Sequence, residues 1–409
     1  MAGSADTPSA VIARSPARVW IERVSLTRFR NYASLRLPLD ERHVVLTGNN
    51  GAGKTNLLES VSFLSPGRGL RRAPYERVAM SDSVEDSATA GAGTLIGTWA
   101  ANFDLHGAVG PVTIGTGLRA TPNGPETQRR TQINKVATRT SEAVQEHVRV
   151  LWLTPSMDGL FSGAAADRRR FLDRMVLAID PSHGTRVNAF EKAMRSRNKL
   201  LDARSFDGTW LDGLEAQMAQ IGVAIASARA ELIVLLTDLI ETDSATDGEA
   251  SAFPRAVLSM EGLLEEQARS GASGDLEDQY TTLLCRNRPR DSAAGRTLDG
   301  PHRSNLCVVH GPKDMEAAQC STGEQKALLT GMVLAHARLV AKVSGMTPLL
   351  LLDEIAAHLD ASRRAALFDL LDKINCQAWM TGTDADLFSA LGERAQRFTI
   401  ANGIVDVTP

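Results

Sequence analysis

At 409 residues, 43% of them hydrophobic, the chain can bury a large core, and its length suggests two or three lobes. A net charge of −3 does not announce a nucleic-acid partner, so any such role must rest on a local patch. No apolar run approaches the ~18 residues that span a bilayer. The first 18 residues are rich in Ala, Ser and Pro without the apolar stretch of a signal peptide, so a cytoplasmic protein with a disordered extension over 1–18 and no membrane partner is expected. The cysteines Cys285, Cys307, Cys320 and Cys376 are far apart with no C-x-x-C pair, which argues for reduced thiols rather than zinc or disulfides.

Residues 19 to 47 carry apolar alternation (Ile21, Leu26, Phe29, then HVVLTG), predicting a hairpin of strands that leads into a glycine loop. TNLLESVSFL, after the loop, has helical spacing. TLIGTWA, VTIGTG and TQINKV, set apart by stretches such as SATAGAGT, read as strands of an antiparallel layer beside the loop. From about 140 to 285 the pattern is helical. Leu211, Leu214, Met218, Ile221, Ile225, Ala228, Leu232, Leu235 and Leu239 follow in steps of three and four, a heptad seam. A long buried helix has the same spacing and is preferred here over a coiled-coil hairpin; TDSATDGEASAF should end it as a polar loop. The α/β pattern then returns with MTPLLLLDE, a helix through ASRRAALFDLLDKI, and CQAWMTGT and RFTIANGIV as strands. The expected division is a first lobe over 19–140 and 289–409, split by a mostly helical second lobe over 141–288.

Gly48, Asn49, Asn50, Gly51, Ala52, Gly53, Lys54 and Thr55 fit G-x-x-x-x-G-K-[ST]. Glycines let backbone N–H groups converge on a phosphate, and the following helix adds its positive end. Lys54 would reach the β- and γ-phosphates of ATP, and the Thr55 hydroxyl would ligate Mg²⁺. The second element is LLLLDE, an apolar strand ending in acids: Asp353 is placed to hold the metal and Glu354 to polarise an attacking water. Six residues beyond, Asp360 ends AAHLD. The third is CSTGEQKALL, in which Ser321 and Gly323 open a helix upstream of the acidic strand, a start suited to binding a γ-phosphate.

Between Arg168 and Arg204 ten basic residues face four acids, a window of +6 that leaves −9 for the remainder. Arg195, Arg197 and Lys199 are its candidates for a DNA backbone, although a solvated helix face with ion pairs is the plainer reading. His302 and His358 are read as packed or surface histidines rather than as catalytic groups.

The order of P-loop, S-x-G-E-Q helix and Asp-Glu strand resembles the ABC-type ATPases, in which the signature helix faces the nucleotide of a second subunit. LTRFRNYASLRL, GRGLRRAPYERV, RRRFLDRMV, DGPHRSNL and DEIAAHLD, in this order after residue 19, narrow the resemblance to the RecF family of DNA replication and repair proteins. That resemblance implies an α/β fold, an SMC-like P-loop ATPase head with an inserted helical lobe. It also implies ATP-dependent homodimerisation, binding to single-stranded or gapped DNA, and help to RecA through RecO and RecR. Residue by residue, Lys54 and Thr55 would carry phosphate and metal contacts, Ser321 and Gly323 the contact across the dimer, Asp353 the metal, and Glu354 the water. Asp360 would sit at the subunit boundary. Arg30 and Asn31 would touch base or phosphate, and Arg68, Arg71 and Arg72 nucleotide or DNA. The chain departs from many ABC enzymes in ending AWMTGTD without a switch histidine and in lacking a lid glutamine before LTPSMDGLF, so slow turnover is expected, and replacing Thr383 should alter it little. A soluble ATPase subunit of an ABC transporter is the alternative.

Overall fold

Four consecutive leucines, Leu349–Leu352, are all buried because the strand they form has apolar layers against both faces. The computed structural model describes residues 15–80, 97–121, 124–138, 140–203, 208–247, 252–268 and 273–408. In chain order the first part comprises β1 (Trp20–Phe29), β2 (Tyr32–Pro38), β3 (His43–Thr47), α1 (Lys54–Ser62), β4 (Trp99–Gly107), β5 (Gly110–Leu118), the two-residue pair β6 (Ala120–Thr121) and β7 (Gly124–Pro125), β8 (Arg130–Ile133), β9 (Val136–Ala137) and β10 (Val150–Leu153). Helices α2 (Ala165–Ile179), α3 (His183–Asp202) and α4 (Gly208–Asp247) follow, then β11 (Ala256–Glu261), α5 (Leu263–Ala268), α6 (Ser273–Arg286), α7 (Arg288–Ala294), β12 (Asn305–His310) and β13 (Met315–Glu316). The chain closes with α8 (Thr322–Ser344), β14 (Leu349–Leu352), α9 (Ala361–Ile374), β15 (Ala378–Gly382), β16 (Ala395–Ala401) and β17 (Ile404–Thr408).

One six-stranded sheet has the order β10-β14-β15-β3-β16-β17, parallel except for the last pair. The other, β2-β1-β4-β5-β8-β9, is antiparallel. Strand period decides which core each residue joins. Leu350 and Leu352, like Val45, Ala378 and Met380, face a core built with α2, α4, α8 and α9. Leu349 and Leu351, like Val44, Leu46 and Trp379, face the core shared with α1 and the antiparallel sheet. Helix α8 is long and apolar enough to cross a membrane by length and composition alone. It runs through the first of these cores instead and is mostly buried.

The lobe boundaries shift from those expected. Strand β10 pairs with β14, so the stretch through Leu153 belongs to the nucleotide sheet, not to the helical lobe that was to begin at 141. At the other end α7 still packs on α3 through Ser292 Oγ, which donates to the Leu201 carbonyl at 2.9 Å. The helical lobe also carries a small sheet, β11-β12-β13. Helix α4 is a single helix of 40 residues whose seam residues Leu211, Met218, Ile225 and Leu232 are buried against neighbouring helices and not against a coiled-coil partner. It runs through Asp247, into the expected polar loop; residues 248–251 lie outside the described residues. SATAGAGT and most of the expected extension also lie outside them. The end of that extension is ordered: Ala17 N donates to the Gly345 carbonyl at 2.8 Å, and Ala17 O accepts from Thr347 N at 2.9 Å. All four cysteines are free thiols.

The second lobe is organised around a charge that the sequence assigns to the surface. Arg197 is fully buried, with Nε on Glu215 (2.8 Å), Nη1 on Asp291 (2.8 Å) and Thr297 Oγ1 (2.9 Å), and Nη2 on the Leu284 carbonyl (2.8 Å). Every donor but one is used to join α3, α4, α6 and α7, which removes Arg197 from the DNA-binding candidates. Arg197→Ala leaves the buried Asp291 without its counter-charge, while Glu215 keeps only Arg288, and should destabilise the protein by about 3–5 kcal/mol, read as a lower urea midpoint with little change in ATP affinity.

Candidate nucleotide-binding site

The P-loop joins β3 to α1, and its glycines are required by backbone geometry. Gly48, Gly51 and Gly53 have φ of +142°, +80° and +122°. A Cβ on Gly48 would lie 2.2 Å from the Ile400 carbonyl oxygen, and one on Gly53 would lie 2.6 Å from Asn31 Nδ2. The loop is braced from two sides. The Ala52 carbonyl accepts from Asn31 Nδ2 at 3.0 Å and from Gly403 N at 3.1 Å, while Tyr32 Oη donates to the Gly53 carbonyl at 3.0 Å. Gly403 belongs to the Asn402-Gly403 turn between β16 and β17, whose two residues both have positive φ, as a two-residue hairpin turn requires.

Lys54 is only 4% exposed, and its Nζ donates to the Gly48 and Asn49 carbonyls at 2.7 and 3.0 Å. Burial lowers its pKa, against the pull of Glu354 and Asp353. Thr55 Oγ1 lies 3.0 and 3.2 Å from the two oxygens of Asp353. These two hard-oxygen donors suit Mg²⁺. An ammonium with only carbonyl partners, set in a loop of inward-turned backbone, likewise suits an oligophosphate. At the end of β15, Thr381 Oγ1 donates to Asp353 Oδ1 at 2.8 Å and accepts from Glu354 N at 2.9 Å. That second bond holds Glu354 in a left-handed conformation (φ 54°, ψ 21°), a strained placement for a residue with a side chain.

A cavity of about 660 Å³ opens beside these groups. Thr55, Asp353 and Glu354 form one part of its wall; Arg71, Arg72, the turn through Thr154 and Ser156, and Asp167 and Arg174 of α2 are among the residues that form the rest. Arg174 lies 4.5 Å over the Trp152 ring, and burial pulls its pKa down to about 9, with the charge of Arg72 adding to the shift. It has no carboxylate partner among the described residues, so an incoming anion is what this cation lacks.

The signature segment stands elsewhere. Ser321 caps α8 in a reciprocal capping box: its Oγ accepts from Glu324 N, and its N–H donates to Glu324 Oε2 at 2.9 Å. Lys313 and Ser321 together hold the Glu324 carboxyl at about 2, so it is ionised at neutral pH. Gly323 has ordinary helical geometry, and a Cβ there would meet nothing within 4 Å, so nothing in the protomer demands glycine. Neither Ser321, Gly323 nor Asp360 is among the described residues that line the cavity. Asp360 caps α9, accepting from Arg363 N at 2.8 Å. Lys326 of α8 reaches back to Asp158 at 2.9 Å, in the loop that forms the cavity wall.

Several expectations need correction. Arg30 makes a bidentate pair with the fully buried Glu59 of α1 at 2.6 and 2.8 Å and is not among the described residues that line the cavity. Asn31 is a brace of the P-loop, its Oδ1 also accepting from Asn56 at 2.7 Å. Part of the basic window is spent inside the fold, Arg168 on carbonyls and Asn305, Arg174 on Trp152 and Arg197 on the buried acids, while Arg186 on Asp180 is half-buried and Arg195 on Glu191 is an exposed pair. Lys199 remains exposed, Arg68 is exposed, and Arg204 lies outside the described residues. His302 is packed at 5.9 Å from Phe190, while His358 sits at the end of a short 3₁₀ turn after Glu354. Thr381 and Arg174 were not singled out from sequence. A hydroxyl aligned with Asp353 leaves no motif, and Arg174 looked like one charge in a run of arginines.

A P-loop braced beside an Asp-Glu strand end, with a capped serine-glycine helix set apart from the cavity on the same chain, defines a nucleotide-binding head of the ABC and SMC type. The family model described as "RecF/RecN/SMC N terminal domain" matches residues 20–405. The DNA replication and repair protein RecF of Rhizobium etli (strain CIAT 652) is 56% identical over 391 residues, covering 95% of this chain and 99% of that protein. The chain belongs to the RecF family. A solved structure of the recombination mediator protein RecF with ATP, of the RecFOR pathway, superposes with a TM-score of 0.79 at 18% identity, over 97% of this chain and 99% of that one. An Smc head domain of Pyrococcus furiosus superposes at 0.52 and 14% identity, over 95% and 96%. A whole-length match of this kind does not favour the transporter alternative.

Thr381→Val removes both bonds that align Asp353 and Glu354. It should lower the ATP turnover number by roughly one to two orders of magnitude, the scale of losing one positioned polar group, with ATP affinity changed less than threefold in a fluorescent-nucleotide titration.

Proposed function

We propose that this protein is an ATP-gated DNA clamp of recombinational repair and replication-fork maintenance, acting in the cytoplasm as a weak, DNA-stimulated ATPase. In this reading two copies close head to tail on ATP and hold DNA at single-strand gaps. With RecO and RecR they promote the loading of RecA, and slow hydrolysis then releases the DNA. The observation that carries the reading is the displaced signature corner. Ser321 is held ready by its capping box, Gly323 offers an unobstructed approach, and both stand apart from their own cavity. A second copy could bring that corner to the nucleotide, adding contacts that exist only in the closed state.

Their placement supports a role for each side chain in this reading. Lys54 neutralises the β- and γ-phosphates, and Thr55 and Asp353 would hold Mg²⁺, which supplies charge neutralisation between those phosphates. Glu354 accepts a proton from the attacking water. Thr381 keeps Asp353 aligned and the Glu354 backbone fixed, standing at the strand end where other ABC enzymes carry a switch histidine. Thr383 is exposed just past the end of β15, which supports a minor role.

The test is sedimentation with and without ATP·Mg²⁺, each with and without a gapped DNA, at fixed salt. Wild-type protein should dimerise only with ATP and then retain DNA. Lys54→Ala should remain monomeric, and Glu354→Gln should accumulate a closed, DNA-bound dimer. A Glu354→Gln protein that dimerises and hydrolyses like wild type would remove that residue from the mechanism, and a monomer indifferent to ATP and DNA would remove the clamp.

A further inference from the structure

Three arginine-bearing motifs far apart in sequence, GRGLRR, RRRFLD and GPHR, come together at one corner of the molecule. Arg169 of α2 donates from Nη1 to the Ser304 carbonyl at 2.8 Å, and Arg168 Nε donates to Asn305 Oδ1 at 2.8 Å, which fastens RRRFLD to the turn that carries Arg303. Beneath them Asp173 receives Arg229 at 2.8 and 3.0 Å, and Arg229 donates on to the Pro301 carbonyl at 2.6 Å, so the corner has a rigid floor. Toward the nucleotide, Arg170 pairs with Asp167, and Asp167 lines the same cavity as Arg72.

We infer that Arg72, Arg170, Arg169 and Arg303 form a continuous stripe, from the rim of the nucleotide cavity to the second lobe, that binds the phosphodiester backbone of DNA. The inference rests on the clamp reading and names its DNA surface. Arg72, Arg170 and Arg303 are exposed, and Arg72 and Arg303 have no acidic partner among the described residues. Three guanidiniums therefore face solvent and that of Arg169 is half-buried; Arg170 alone pairs with a carboxylate, that of Asp167. Mutual repulsion registers at two of them. Burial first and the charge of Arg170 second lower the Arg72 pKa, and burial followed by Arg229, Arg303 and Arg170 lowers that of Arg169, opposed by Asp173. A row of like charges fixed by a buried network stores electrostatic energy that a polyanion relieves. Guanidiniums also match phosphate geometry better than any other side chain. Arg72 adopts a left-handed backbone (φ 55°) at the point where the stripe meets the cavity. DNA on the stripe would thus touch a residue of the nucleotide wall, giving ATP and DNA a shared contact.

The experiment uses the full chain with ATP·Mg²⁺ and a fluorescent gapped duplex, measuring affinity by anisotropy between 50 and 300 mM salt, roughly the range over which counterion release is resolved. Arg170→Gln/Arg303→Gln should lose at least about tenfold in DNA affinity and lower the slope of log affinity against log salt by about 1.8. Its affinity for ATP should be retained. Arg195→Gln/Lys199→Gln, an equal charge change on α3, should lose less than about a third of that effect in log units. Arg303→Gln alone, on an exposed turn, should show an intermediate loss with an unchanged melting curve, separating lost contact from lost folding. If wild-type protein binds DNA and the double variant binds it equally, the stripe is overturned while the clamp stands. Equal loss in the α3 pair, or a parallel loss of ATP affinity, also overturns it, the first as bulk charge and the second as a nucleotide contact. A wild-type chain that binds no DNA with ATP would overturn both readings.

Discussion

Asp353 is the point at which the separate pieces of the nucleotide lobe meet. Its carboxylate ends β14, takes the hydroxyl of Thr55 from α1 and takes the hydroxyl of Thr381 from β15. Thr381 in turn fixes the backbone of Glu354. One side chain therefore sets the distance between the phosphate loop and the acidic strand end, and also the direction in which the next acid leaves the sheet. A carboxylate can do this because it accepts several hydrogen bonds at once, and at 7% exposure it has little water to satisfy it otherwise. The strained φ of Glu354 is tolerable for the same reason, since the surrounding bonds over-determine it.

The second lobe uses charge differently. Arg197 and Arg229 are each almost wholly buried among carboxylates and carbonyls that come from four or five different segments. Such networks contribute less to stability than an apolar core of equal volume, but each bond has one acceptable partner, and they specify which helix packs on which. Glu59 under Arg30 is the same device beside the P-loop helix. The arginines that these networks leave at the surface are the ones that can meet a polyanion.

That distinction explains what could be read from the sequence. The P-loop, the acidic strand and the capped signature helix were legible because each is a short contiguous pattern whose chemistry is local: glycines at positive φ, acids after four leucines, a serine three residues before its glutamate. The alternation of β14 and β15 and the helix over Ala361–Ile374 were legible for the same reason. Arg197 was misread because a count of charges weighs every arginine alike, and its partners lie up to 100 residues away; Arg30, taken from the resemblance, pairs with Glu59 29 residues on, a contact that no local pattern announces. Strand β10 was misplaced because a run of four residues beside a helical region carries too little periodicity to show which sheet it joins. The brace on Ala52 was invisible altogether. Its donors, Asn31 and Gly403, flank the whole chain, and an Asn-Gly pair announces a hairpin but not what the hairpin touches.

The position of β3 within its sheet has a consequence for how the protein is made. The strand that delivers the P-loop lies between β15 and β16, with His43 bonded to Ala378 and Thr47 to Phe398, separations of 335 and 351 residues. On the ribosome, therefore, the phosphate loop emerges among the first segments but cannot take its final shape until the Asn402-Gly403 turn has cleared the exit tunnel. For most of synthesis the apolar strand His43–Thr47 waits without neighbours, and closing so long a loop costs entropy before any contact repays it. The helical lobe is complete before the second half of the nucleotide lobe is made, so it can fold in the meantime and hold the two halves of the split lobe near one another. Nucleotide competence is thus a late event in the life of each chain, and a ribosome-bound fragment lacking the last hairpin would be folded in part yet unable to engage ATP.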